Sequence, residues 1–261
     1  MNPDEKPVDP NNAGTKSRRG IYLLPNMFTT AGLFAGFYAI VAAMSERYEA
    51  AAIAIFVAMI MDGIDGRVAR LTHTQSEFGV QYDSLSDMIC FGLAPALVMY
   101  EWSLRFMVSI GWAKLGWLSA FVYTAGAALR LARYNAQIET TEKRYFKGLP
   151  SPSAAAVVAG LVWIGADLGI AGEDLVYPAF VLVILMGGLM VSNLRYYSFK
   201  EIGFRNRVPF VGLLLVVLVY VFASIDPPKV LFAGFLIYAL SGPVFTLLRV
   251  RKTREARKRE G

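Results

Sequence analysis

The sequence predicts an all-α protein, a polytopic transmembrane helix bundle of about eight spans. Three observations lead there. Hydrophobic residues make up 56% of the 261. They fall in blocks long enough for a helix to cross a hydrocarbon core about 30 Å thick. The connections between the blocks also alternate sharply in basic content, the mark of a chain oriented by its positive charges. With a cytoplasmic N-terminus and eight spans, 22 of the 26 Lys and Arg residues fall on the cytoplasmic side. Only Arg47, Arg105, Lys114 and Lys229 are left outside. Both termini are then cytoplasmic, in the inner membrane of the cell.

Residues 1–20 are polar and rich in Pro and Asn, and lack an apolar core, so they read as a disordered cytoplasmic arm and not as a cleaved signal peptide. One membrane domain follows over 21–249, with no internal repeat or linker. Its spans are expected near 23–43, 50–70, 80–100, 112–134, 153–170, 175–194, 208–224 and 229–249. Pro25, Asn26, Met27 and Phe28 stand at the entry to the first, where Pro suits the first turn of a helix. Gly32 and Gly36 form a GxxxG pair within it, a spacing that serves close helix packing within or between protomers. A homodimer is expected on that ground. Cys90 sits in an apolar span as a packing residue. His73 falls in the 71–78 connection as a solvated loop residue. Ser151 and Ser153 stand where side chains cap the fifth span. Gly187 and Gly188 soften the sixth. Residues 250–261 form a basic cytoplasmic tail that attracts anionic lipid headgroups. No groove-reading element accompanies that charge, so nucleic acid is not an expected partner. With one His and one Cys, the usual zinc ligand sets are excluded.

The second and third spans break the apolar pattern. Asp62, Asp65, Asp83 and Asp87 stand there, and each ionised Asp at the centre of a span costs roughly 2.5–3.5 kcal/mol to insert. The spacings are i, i+3 and i, i+4, so each pair shares one helix face. Two facing pairs make an all-oxygen site for hard divalent cations. Gly66, Ala69 and Gly79 leave bare surface beside the acids, with room for a flat group such as a nucleotide. Arg70, one or two turns beyond, has the planar fork that pairs with phosphate oxygens. Cations on carboxylates with an arginine suit displacement at phosphorus. A divalent-cation transporter also places acids in membrane spans, but along a path and not at one depth.

The run D-x2-D-G-x2-A-R-x8-G-x3-D-x3-D at 62–87 resembles the signature of the CDP-alcohol phosphatidyltransferases, with all eight defining positions present. The resemblance implies a core of six helices, here with two further C-terminal helices, and an active site open to the cytoplasm. It implies two divalent cations, Mg2+ or Mn2+, on Asp62, Asp65, Asp83 and Asp87, with Asp87 also the general base. By the same resemblance Gly66, Ala69, Arg70, Ser76 and Gly79 contact the CDP group, as do Pro25, Asn26, Met27 and Phe28 at the N-terminal side. The implied reaction is displacement of CMP from CDP-diacylglycerol by an alcohol.

Two stretches bear on the alcohol. LRLARYN at 129–135 and KGLPSPSAA at 147–155 resemble those of bacterial membrane-embedded phosphatidylserine synthases, which implies L-serine as acceptor. Serine carries a carboxylate, and Arg133, Asn135, Lys147 and Ser151 are the candidates to receive it. Glycerol 3-phosphate or inositol phosphate is the alternative acceptor, held by the same basic residues.

Overall fold

The computed structural model describes residues 23–72, 74, 76–109, 111–136, 145–197, 221–222 and 224–260. The N-terminal arm, His73 and most of the expected seventh span lie outside them. Where the sequence predicts spans one to six and eight, helices are found: α1 Leu23–Met44, α2 Tyr48–Leu71, α3 Glu77–Asp87, α4 Ala94–Trp102, α5 Ala113–Ala136, α6 Ser151–Asp167, α7 Val176–Val191 and α8 Pro227–Glu260. Four stretches, Pro25–Met44, Ala113–Ala136, Gly172–Val191 and Pro227–Thr246, are long and apolar enough to cross a membrane. The chain is therefore a helical membrane protein. α2 spans 24 residues but carries Asp62, Asp65, Arg67 and Arg70, and α6 has only 17 residues, so neither qualifies on its own.

The bundle is built around α6. Nearly every side of this helix is buried, including Ala154, Ala155, Ala156, Val157, Val158 and Ala159, as expected of a helix apolar all round. Against it lie α2, α4, α7 and α8, while α1 packs along α2 and α5 along α7. Small residues make these approaches possible. A Cβ on Gly36 would lie 2.8 Å from Cys90 Sγ, and one on Gly126 would lie 2.7 Å from the Gly187 carbonyl. Gly32 likewise faces Met61 and Ala58 of α2. The GxxxG pair is thus spent inside the protomer. Gly188, by contrast, faces open space.

The third predicted span is one helical rod in three parts, because a π-helical turn, Met88–Leu93, separates α3 from α4. Pro95 contributes to the break: it has no N–H to offer the Phe91 carbonyl four residues back. That carbonyl receives the hydroxyl of Tyr123 from α5 at 3.0 Å instead. Neither Ser151 nor Ser153 caps α6; Pro150 holds the cap position and no side chain bonds there.

The connections gather at two ends. At one, Arg105 bridges Glu46 at 3.1 Å and Glu101 at 3.3 Å, and Ser103 donates to the Gly172 carbonyl at 2.7 Å. At the other, an all-α expectation meets a small exception. Tyr145–Lys147 (β1) and Arg195–Tyr197 (β2) pair antiparallel, with Phe146 opposite Tyr196 and Lys147 opposite Arg195. Gly148 leaves the ribbon at φ +81°, a conformation that side chains resist. Its N–H donates to the Leu194 carbonyl at 2.8 Å. The basic connections that the sequence assigns to the cytoplasmic side are therefore stitched to each other.

A candidate carboxylate metal centre

The last three turns of α2 and the C-terminal half of α3 face each other at the ribbon end. From α2 comes Asp62, and from α3 come Asp83 and Asp87. One carboxylate oxygen of each lies within 4.8 Å of the others. Three oxygens that close, all from carboxylates, match the hard-donor set and spacing that a divalent cation takes. The fourth acid is placed differently. Asp65 is 4% exposed and points toward α1, where Thr29 Oγ1 lies 2.7 Å from its Oδ2. All four aspartates still line one small cavity, together with Thr29, Gly32, Ser86 and Cys90.

The cavity floor is sewn from α1 to α3. Ser86 donates to the Thr29 carbonyl at 3.3 Å, and the Cys90 thiol lies 3.2 Å from the Gly32 carbonyl. Cys90 is thus a packing residue whose thiol is satisfied, as its setting in the sequence predicts. The π-turn begins at Met88, directly after Asp87. Gly36 meets Cys90 of this turn, and its lack of a Cβ lets α1 lie this close.

Around the rim, Gly66 has nothing within 4 Å of where a Cβ would stand, and Arg70 is exposed in the last turn of α2. The surface between the acids and Arg70 is therefore open. Ala69 is half-buried beside it. Ser76 caps α3 by accepting from the Gly79 N–H at 3.0 Å. A Cβ on Gly79 would come 3.1 Å from Ser76 Oγ and 3.6 Å from Asn26 Oδ1. That contact brings the Asn26 end of α1 to the start of α3. Pro25 is buried in the first turns of α1, Phe28 is half-buried and Met27 is 67% exposed.

The four residues expected on the acceptor side separate. Arg133 donates to the Val191 carbonyl at 2.8 Å and to Ser192 and Asn193 at 3.3 Å, so it caps the C-terminus of α7. Asn135 donates to Ser84 at 3.0 Å, one residue from Asp83. Lys147 is exposed on β1. Ser151 is fully buried and receives the Arg130 guanidinium at 2.7 Å. Arg130, not among the expected residues, is the arginine within electrostatic range of Asp87. A signal for it exists in the sequence. Arg130 stands three and seven residues after Ala127 and Tyr123, both fully buried, and so continues the inward stripe of α5.

Comparison with known proteins fits this geometry. Residues 22–184 match the family model of CDP-alcohol phosphatidyltransferase. The chain belongs to that family. It is 33% identical over 230 residues to a protein of Helicobacter pylori, covering 88% of this chain and 94% of the relative. It is 39% identical over 161 residues to one of Mycobacterium tuberculosis, covering 59% and 54%. A third, of Saccharomyces cerevisiae, is 30% identical over 185 residues, covering 61% and 64%. All three relatives are named CDP-diacylglycerol–serine O-phosphatidyltransferase.

Proposed function

We propose that this member of the family is a CDP-diacylglycerol–serine O-phosphatidyltransferase of the inner membrane, with both termini and the site on the cytoplasmic side. The observation that carries the reading is the convergence of Asp62, Asp83 and Asp87 within 4.8 Å at the end of the bundle where the basic connections gather. Of the other described acids, Glu46, Glu49, Glu101, Asp167, Glu173, Asp174 and Asp226 lie in or beside connections that the sequence assigns to the opposite side, while Glu77, Glu255 and Glu260 lie on the side of the site and outside the cluster. A single such cluster among the described residues supports a reaction centre over an ion path. In this reading the membrane domain covers 21–249, with six helices forming the core and two more completing about eight spans.

In this reading two divalent cations, Mg2+ or Mn2+, would be held by Asp62, Asp65, Asp83 and Asp87, which is supported by the three clustered oxygens and the cavity that Asp65 shares with them. When bound, they supply charge neutralisation on the pyrophosphate of the liponucleotide. The chain does the rest. Arg70 pairs with a phosphate oxygen across the open surface of Gly66. Ala69, Gly79, Ser76 and the Pro25–Phe28 turn border the space for the cytidine. Asp87 accepts the proton of the serine hydroxyl as its oxygen attacks the β-phosphorus, and CMP departs with the electron pair of the broken P–O bond. General-base help of this kind is worth about 10²–10⁴-fold. The acceptor lies between Asp87 and the Arg130–Ser151 pair, with Arg130 toward its carboxylate and Asn135, bonded to Ser84 beside Asp83, on the same side. Arg133 supports that wall by holding the end of α7. A homodimer belongs to the same reading; with Gly32 and Gly36 occupied within the protomer, its interface falls on other helix faces.

The test is an acceptor panel with purified protein, CDP-diacylglycerol and Mg2+ or Mn2+, following CMP and lipid product. Serine-dependent CMP release is expected. Release only with glycerol 3-phosphate or inositol phosphate would overturn the acceptor and keep the reaction class.

A further inference from the structure

The family match ends at residue 184, yet the helix beyond it, α8, is seated on the core. Phe232 packs over Gly160 of α6, where a Cβ would meet it at 3.1 Å, and the Phe235 ring lies 6.5 Å from Phe56 of α2. Its most specific contact is with the ribbon. Pro243 lacks an N–H, so the Ala239 carbonyl has no partner along the helix. The buried Tyr196 of β2 donates its hydroxyl to that carbonyl at 2.9 Å. Gly242 makes room, since a Cβ there would enter the Tyr196 ring. The same ring lies 5.7 Å from that of Tyr238. Tyr238 in turn stands within electrostatic range of the Arg130 guanidinium, which is bonded to Ser151 at 2.7 Å, and Asp87 lies within the same range of that guanidinium.

We propose that α8 is a positioning element for the acceptor side of the site, with Tyr238 setting the place of Arg130 and Tyr196 setting the place of Tyr238. Neither tyrosine touches the reacting atoms; both are positioning residues acting through Arg130. The inference rests on the reading of Arg130 as the acceptor-facing cation.

Steady-state kinetics of the full-length enzyme in detergent test it, with Tyr196→Phe, Tyr238→Phe and the double variant Tyr196→Phe/Pro243→Ala. Each single variant is expected to raise the serine KM about fivefold, in Tyr196→Phe through loss of one hydrogen bond and in Tyr238→Phe through loss of the phenol near Arg130, with the CDP-diacylglycerol KM and Mn2+ affinity within about twofold of wild type. Pro243→Ala returns an intrahelical donor to the Ala239 carbonyl, so the double variant is expected to recover most of the serine KM. Equal change in both KM values, or none, overturns the proposal, because a merely structural role moves thermal stability and kcat without singling out the acceptor. A serine KM left fully defective in the double variant overturns the role given to the Ala239 bond. Wild type run on the acceptor panel separates the two readings. If it uses another alcohol, the serine assignment fails, and the variants are judged on the KM of that alcohol.

Discussion

Asp62, Asp83 and Asp87 share one cation-sized space, whereas Asp65 is buried and held by a hydroxyl of another helix. The difference gives the four acids separable roles. Replacing Asp87 with Asn keeps the shape and one side-chain oxygen but removes the carboxylate proposed as the base. The expected outcome is a kcat lower by about 10²–10⁴-fold, with Mn2+ still bound, read from turnover and from metal titration. An enzyme that keeps half its turnover would remove Asp87 from that role. Thr29→Val tests the other acid. It preserves volume while stripping Asp65 of its hydroxyl partner, as loss of an orienting group behind a metal ligand does. Mn2+ affinity is expected to fall by about 10–100-fold. An unchanged titration would show that Thr29 serves only helix packing.

Elements meet here through small residues and through tyrosines that serve carbonyls left by proline. Tyr123 does so for Phe91 and Tyr196 does so for Ala239. Gly36 illustrates the first device. A methyl at this position would press on Cys90 Sγ at 2.8 Å and on its Cα at 3.1 Å. Gly36→Ala is expected to destabilise by about 1–3 kcal/mol, as overpacking does. Cys90→Ala removes the sulfur but not the Cα, so in the double variant thermal unfolding should return only part of the loss. Full additivity would mean the two do not meet. The helices themselves were legible in the sequence, because long apolar blocks must bury or dissolve their backbone in lipid. So was the acid cluster, since acids in such blocks demand compensation. The π-turn was not: nothing in Met88–Leu93 alone distinguishes it from α-helix, and Tyr123 lies 32 residues from Phe91. The ribbon was missed for the same reason, two three-residue strands paired across about 50 positions of chain. Arg133 and Arg130 were both visible as cytoplasmic arginines. Which of them reached the site depended on where α7 ends, and spacing does not carry that.

At the scale of the whole molecule, the two ends of the bundle are held by different forces. The end away from the site is closed by Arg105 with Glu46 and Glu101. These are partly exposed pairs, each worth at most about 1 kcal/mol. The site end holds four acids at one depth, whose mutual repulsion opposes folding unless cations are present. Metal binding should therefore contribute to the stability of the whole fold, and not only to turnover. A ligand that binds only the folded state at 100 times its Kd adds about 2.7 kcal/mol. Thermal unfolding of the purified protein with Mg2+ or Mn2+ is expected to occur several degrees above that with a chelator, at equal ionic strength. The same rise should be lost in Asp62→Asn/Asp83→Asn, which removes negative charge from the cluster. That variant should also unfold at a higher temperature than wild type when both are in chelator, because the repulsion is partly relieved. If metal stabilises the double variant as much as wild type, the stabilising ions bind elsewhere, and the basis for coupling the fold to Asp62 and Asp83 is gone.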